Sequence, residues 1–184
     1  MTAYLAEHDF LDDDDLLESD SLLVLSRALQ SKPLAGMAFG RIVPFGDNAK
    51  VLRHQRRYFE RVARKARSLR GRLQLTAHLL FRESLLVNSA CMTRREVFLA
   101  CGGYDTEIAV FEDVELWARV VRDTDFVYVD RPVLNYRTGA PSLMHNLKEN
   151  DPKQRIAYAR MHEKYRHTHG LLEHSALRIL SRIL

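Results

Sequence analysis

Two cysteines, Cys91 and Cys101, are all that 184 residues supply, and no paired Cys spacing accompanies them. A disulfide framework and a Cys-rich zinc module are both excluded, and the two thiols read as buried or idle. Long apolar runs are missing as well. None approaches the roughly 18 residues of a membrane span, and no basic start leads into an apolar signal segment. The compartment expected on these grounds is a reducing cytoplasm. No Pro-, Gly- or Ser-rich linker, internal repeat or long low-complexity tract interrupts the chain. A large excess of one charge is also lacking, and a net +4 is too small to imply a nucleic-acid partner. What is present, 46% hydrophobic residues, suffices for a sizeable core and excludes intrinsic disorder.

Charge is segregated along the chain. Residues 1–20 carry eight carboxylates and no Lys or Arg, whereas residues 50–72 carry ten Lys/Arg against Glu60 alone. Surfaces of opposite sign usually meet different partners. Phe10-Leu11 reads as the end of a short strand entering the acidic turn Asp12–Asp15. Ser19 or Asp20 caps a helix over 21–31, with Leu22, Leu25, Ala28 and Leu29 on one face, and Lys32-Pro33 stops it. Residues 35–43, with Gly36 and Gly40, suit a strand where backbones approach closely. Asp47 or Asn48 starts a long basic helix with Val51, Tyr58, Val62, Ala66, Leu69 and Leu73 at helical spacing.

After a further helix, residues 85–92 read as a strand. Thr93 caps a helix over 94–100, which Gly102-Gly103 ends because glycine tolerates positive φ. Residues 112–122 form an amphipathic helix with Val114, Trp117, Val120 and Val121 inward. Short strands over 126–129 and 133–136 flank the turn Asp130-Arg131-Pro132, and helices over about 151–166 and 171–183 follow. Strands interleaved with helices give an α/β fold class.

Two groups could carry chemistry. Asp12–Asp15, just after an apolar strand end, reads either as a solvated turn or as a hard-cation site for magnesium or manganese, whose shell substrate phosphates complete. The second reading has the right placement, because ligands of α/β sheets bind beyond the strands' carboxyl ends. Glu112-Asp113 at a helix start either complements the helix dipole or supplies a general base.

The ordered series Phe-Leu-Asp-Asp-Asp-Asp-Leu-Leu (10–17), Asn-Ser-Ala-Cys-Met-Thr-Arg-Arg (88–95), Gly-Gly-Tyr-Asp (102–105), Glu-Asp-Val-Glu-Leu-Trp-Ala-Arg (112–119) and Asn-Tyr-Arg (135–137) resembles the second half of a family-2 glycosyltransferase. The likeness spans about residues 9–143 and implies part of a GT-A mixed sheet with flanking helices, residues 146–184 being a helical extension. It implies that Asp12 and Asp14 match the outer members of the Asp-x-Asp motif, contacting the donor's ribose and the divalent metal on its diphosphate. Gly102, Gly103, Tyr104 and Asp105 match the turn beside the donor and acceptor sugars. Asp113 matches the catalytic base, with Glu112 beside it, and Arg119 and Arg137 join the donor- and acceptor-binding set. The implied reaction is inverting sugar transfer from a nucleotide-sugar to a glycan or lipid-linked acceptor.

The chain departs from the family in two places. The Pro-x-Tyr-Asn-like turn and Val-Asp-Asp-Gly-Ser-like strand end that grip the nucleotide are not in this sequence. The expectation is a donor-binding half supplied elsewhere, a tendency to self-associate or to need a partner chain, and no transfer by the 184 residues alone. Gly139 stands where relatives carry a His near the metal, and His145 is close enough in sequence to substitute. A non-catalytic interaction module keeping the acceptor half is the alternative. The basic stretch 50–72 reads as a solvated face, or as a contact for anionic lipid head groups or a lipid-diphosphate acceptor; nucleic acid fits least, because no aromatic platform accompanies the charge. His162, His167, His169 and His174 suggest a polar helix junction before they suggest a metal.

Overall fold

A computed structural model of the chain describes residues 7–139 and 151–184. Strands β1 (Glu7–Asp9), β2 (Leu16–Leu17), β3 (Ala35–Phe45), β4 (Cys91–Arg94) and β5 (Asp125–Arg137) form one sheet in the order β1-β4-β3-β5-β2. The β3–β5 pair is parallel and the other pairings are antiparallel, which makes a mixed α/β fold. The helices are α1 (Ser21–Ser31), α2 (Ala49–Ser68), α3 (Arg72–Phe81), α4 (Arg95–Ala100), α5 (Glu112–Asp123), α6 (Pro152–His169) and α7 (Leu171–Ile183).

Central β3 is covered on both faces, as its near-continuous apolar run requires. Ala38 faces α1, where it packs with Leu25, Leu29, Met92 and Val133. Met37 and Phe39 point the other way, into a larger cluster with Leu75 and Leu79 of α3 and Leu116 and Trp117 of α5. Met161, Tyr165 and Leu177 of α6 and α7 join that same cluster, so the two last helices share the core of the preceding residues.

Helix α1 has the expected bounds, but Leu22 is 43% exposed. Ser21, one turn before Leu25, takes the inward position and donates its hydroxyl to the Val133 carbonyl. Asp20 is not a side-chain cap; its carboxylate pairs with Arg131 at 2.8 Å. Asn48 does cap α2, its side chain accepting from the Lys50 and Val51 N–H groups. That helix stops at Ser68, so Leu73 belongs to α3, and Phe59 is a buried position the spacing did not single out.

Four strand and cap expectations are corrected. Strand β1 ends at Asp9, leaving Phe10 and Leu11 outside it. Within 85–92 only Cys91 and Met92 are strand; Leu85 and Leu86 are buried in a loop where the Ser84 hydroxyl meets both polar groups of the Leu86 backbone. Thr93 lies in β4 and caps nothing, and α4 starts at Arg95. Residues 125–137 are one strand, not two. Register steps from Gly40↔Val129 to Arg41↔Pro132, so Asp130-Arg131 bulge out of a ladder that continues beyond them. Proline has no N–H for the ladder, which is why it sits at the bulge.

Candidate functional site

The sheet order places β1 and β2 on opposite edges, so the segment Phe10–Asp15 carries the chain from one edge to the other. Within it the Asp15 N–H donates to the Asp12 carbonyl at 3.2 Å, closing a turn. Strand β5 holds this turn by its last residue. The Arg137 N–H donates to Asp15 Oδ1 (2.9 Å), and Arg137 Nε donates to the Asp14 carbonyl (2.9 Å). The Arg137 guanidinium also lies 4.6 Å over the Phe45 ring, a cation–π contact that steadies it. Asp15 is thereby turned inward and buried, while Asp12, Asp13 and Asp14 line a cleft of about 860 Å³.

Burial and repulsion from Asp14 and Asp13 raise the Asp12 carboxyl above its ordinary value, against a hydrogen bond from Ser89. Asp15 is raised too, by burial first, and its Oδ2 has no hydrogen-bond partner. Crowded carboxylates facing a cleft are the donor set a hard divalent cation accepts. Among the described residues, however, no group of three or more His, Cys, Asp or Glu is assembled for a metal. Asp12 and Asp14 therefore fit such an ion only with further oxygens from a ligand. His145 lies outside the described residues.

Across the cleft stands the start of α5, with Glu112 and Asp113 on its wall. Its first residue is preceded by Phe111 at φ 62°, the one non-glycine residue with positive φ among those described. An aromatic side chain in this region is strained, and Phe111 lines the cleft with its ring tilted against Tyr158, centroids 5.2 Å apart. The Asp113 carboxylate accepts from the Val114 N–H at 2.7 Å. Burial pushes it up to about 6, with Glu112 and Asp12 adding repulsion. The positive helix end favours the ionised carboxylate, but burial outweighs it.

Sequence reasoning missed other parts of this wall. His54, Gln55 and Tyr58 reach the cleft from α2, one turn apart, on the face of a helix whose charge masked them. Glu83 also lines it, held by Lys65 and by Arg61 at 3.1 Å. Burial acts upward on Glu83, but the two cations bring its carboxyl below the usual range. Tyr136 and Tyr158 complete an aromatic border.

Five residues implied by the resemblance stand elsewhere. Gly102 (φ 79°) and Gly103 (φ 66°) end α4 as expected, but neither lines the cleft. Arg119 grips their turn, donating to the Gly103 carbonyl at 2.7 Å and to the Cys101 carbonyl, and pairs with Glu115 at 2.6 Å. Asp105 faces Arg160 and Lys164 at 3.1 and 3.0 Å. Burial acts upward on it, yet Lys164, the Glu107 N–H and Arg160 hold its carboxyl well below the usual range. Tyr104 is nearer: its hydroxyl donates to Asn88 Oδ1 (3.0 Å), and Asn88 is part of the cleft wall.

No family model matches the chain. Over 119 residues it is 33% identical to "Uncharacterized protein MT1568" of Mycobacterium tuberculosis (strain CDC 1551 / Oshkosh). The match takes in 61% of this chain and 36% of that protein, so the chain spans little more than a third of the curated relative's length. Among the described residues no helix is long and apolar enough to cross a membrane.

Proposed function

We propose that this chain is a glycosyltransferase-like domain of the GT-A type, serving metal-dependent, inverting transfer of a sugar from a nucleotide-sugar to a glycan or lipid-linked acceptor. The observation that carries the reading is convergence: the Asp12–Asp14 turn and the Glu112–Asp113 helix start, 98 residues apart between Asp14 and Glu112, face one cleft. Asp12 and Asp14 would hold manganese or magnesium together with the donor's diphosphate oxygens, and the ion's contribution is to neutralise the leaving diphosphate. Asp113 accepts the acceptor hydroxyl's proton while that oxygen bonds to the anomeric carbon and the carbon–phosphate oxygen bond breaks. A carboxyl raised to about 6 is ionised at neutral pH and is a stronger base than an ordinary Asp. Arg137 keeps the metal-facing turn in place rather than touching the chemistry.

A second reading, a non-catalytic interaction module, draws on the engagement of Arg119 and Asp105 in ion pairs away from the cleft. Partner contacts have their own support. Arg53, Arg56, Arg57 and Arg64 are exposed along α2, as peripheral contact with anionic lipid would need. Leu172, Ile179 and Ile183 are exposed on α7, as self-association or a partner chain would need.

Thermal unfolding with manganese and a nucleoside diphosphate (UDP, GDP or dTDP in turn) separates the readings. One nucleotide with manganese should raise the melting temperature of the wild type and not of Asp14→Asn. Equal shifts in both proteins would remove the donor-binding role from this turn.

A further inference from the structure

A second cavity of about 750 Å³ opens where the end of α3 meets α6 and α7. Gly170 (φ 84°) reverses the chain between those two helices, so residues near the turn on each face one another. Helical spacing then sets His162 and Arg166 of α6 opposite His174, Arg178 and Arg182 of α7, and Arg82 closes the group from the end of α3. The two imidazoles touch, His174 Nε2 lying 3.1 Å from His162 Nδ1, and Phe81 stacks on His162 at 4.9 Å. Four guanidiniums thus border one cavity, and among the described residues no carboxylate does. Arg82 donates to the Ser181 carbonyl at 2.6 Å. Glu173, the acid nearest in α7, is occupied by Arg122 and Tyr165.

We propose that this cavity is a phosphate-binding site, separate from the carboxylate-lined cleft and independent of the reading given for it. Guanidinium groups match phosphate oxygens by paired, charge-assisted hydrogen bonds. Like charges gathered on one cavity repel one another, and burial, then His174, Arg166 and Arg178, drives His162 down to about 4. At neutral pH the positive charge therefore comes from the arginines, and an anion relieves their repulsion while His162 and His174 offer ring nitrogens at its edge. Tyr158 lines both the cavity and the cleft, so a phosphate held here lies one side chain from the carboxylate site. The chemistry is that of a phosphomonoester or diphosphate group, whether free or on a lipid head group.

Calorimetric titration with inorganic pyrophosphate at physiological salt tests the site. Wild-type protein should bind saturably. The double variant Arg166→Gln/Arg178→Gln should bind at least about tenfold more weakly, the size expected when charged hydrogen bonds are lost. Arg53→Gln/Arg57→Gln, with the same change of charge on α2, should bind like wild type. No saturable binding, or equal loss in both double variants, overturns the proposal. Imidazole resonances of wild-type His162 and His174 provide a measurement needing no variant: they should shift on pyrophosphate addition, and unmoved resonances under saturating pyrophosphate overturn the placement. Vesicles of phosphatidylcholine with and without phosphatidic acid identify the source. Pyrophosphate-sensitive sedimentation with phosphatidic acid marks a head-group site, and pyrophosphate binding without sedimentation marks a soluble phosphate.

Discussion

Asp113 is the residue where local and tertiary effects oppose each other most plainly. A carboxylate in the first turn of a helix gains from the dipole, typically 0.3–1 kcal/mol, and this alone would keep it acidic. Enclosure between the Asp12 turn and Glu112 acts the other way and raises it to about 6. Each pKa unit corresponds to about 1.4 kcal/mol, so above pH 6 its charge costs the fold ~3 kcal/mol. The sign follows directly: an acid raised in the fold costs nothing below its unfolded value, and the full cost appears once pH passes the folded value. Asp113→Asn keeps a side-chain acceptor for the Val114 N–H and removes the charge. It should therefore be more stable than wild type in urea at pH 8, and the gain should vanish near pH 4. A variant less stable at pH 8 would mean that the carboxylate is a net favourable cap.

At the scale of elements, β3 and β5 decide the fold. The expectation that Gly36 and Gly40 mark close approach holds, but what approaches is side chain. A Cβ on Gly40 would stand 2.5 Å from Val133 Cγ1, and one on Gly36 would stand 2.3 Å from Thr124 Oγ1. Val133 is fully buried and branched at Cβ, so it has little rotamer freedom to give way. Gly40→Ala should destabilise the protein by about 1–3 kcal/mol, the range for overpacking, measured by urea unfolding; Gly40→Ala/Val133→Ala should recover part of the overpacking cost, which a double-mutant cycle reads. The strand β5 also shows why residues 130–132 misled a local reading. Asp-Arg-Pro is good turn chemistry, and the chain does depart from the ladder there. Arg67 holds Asp130, and Asp20 holds Arg131, so the departure is a bulge and pairing with β3 resumes at Pro132.

For the whole molecule, buried histidines set the response to acid. Burial, with Lys65 and Arg82 nearby, lowers His78 to about 4; His162 is lowered equally far, by burial and then His174. A base lowered in the fold gives stability that is complete above its unfolded value, near 6.5, and is lost as pH falls towards the folded one. Asp113 has the opposite sign between pH 6 and its unfolded value, and the two histidines outnumber it. The urea midpoint should be lower at pH 5 than at pH 7. The drop should be steeper in Asp113→Asn, which lacks the compensating gain; a shallower drop in that variant would refute the balance.

The bounds of α1, the apolar β3, a cap at Asp47 or Asn48 and the glycine stop of α4 were legible in the sequence because each depends on spacing or on backbone chemistry within a few residues. So was the pairing of two acidic groups as candidates for chemistry, since carboxylate runs stand out in composition. The sequence could not say which aspartate of the run turns inward: Asp15 does so because the backbone of Arg137, 122 residues away, needs an acceptor. It could not place Arg119 and Asp105 outside the cleft, because their partners, the Cys101–Gly103 turn and helix α6, are assigned only by packing. Nor could it raise Asp113 or gather four arginines around one cavity. Periodicity determines which face of an element is apolar, whereas burial of a charge depends on which distant surface comes to lie over it, and that is decided only when the elements pack.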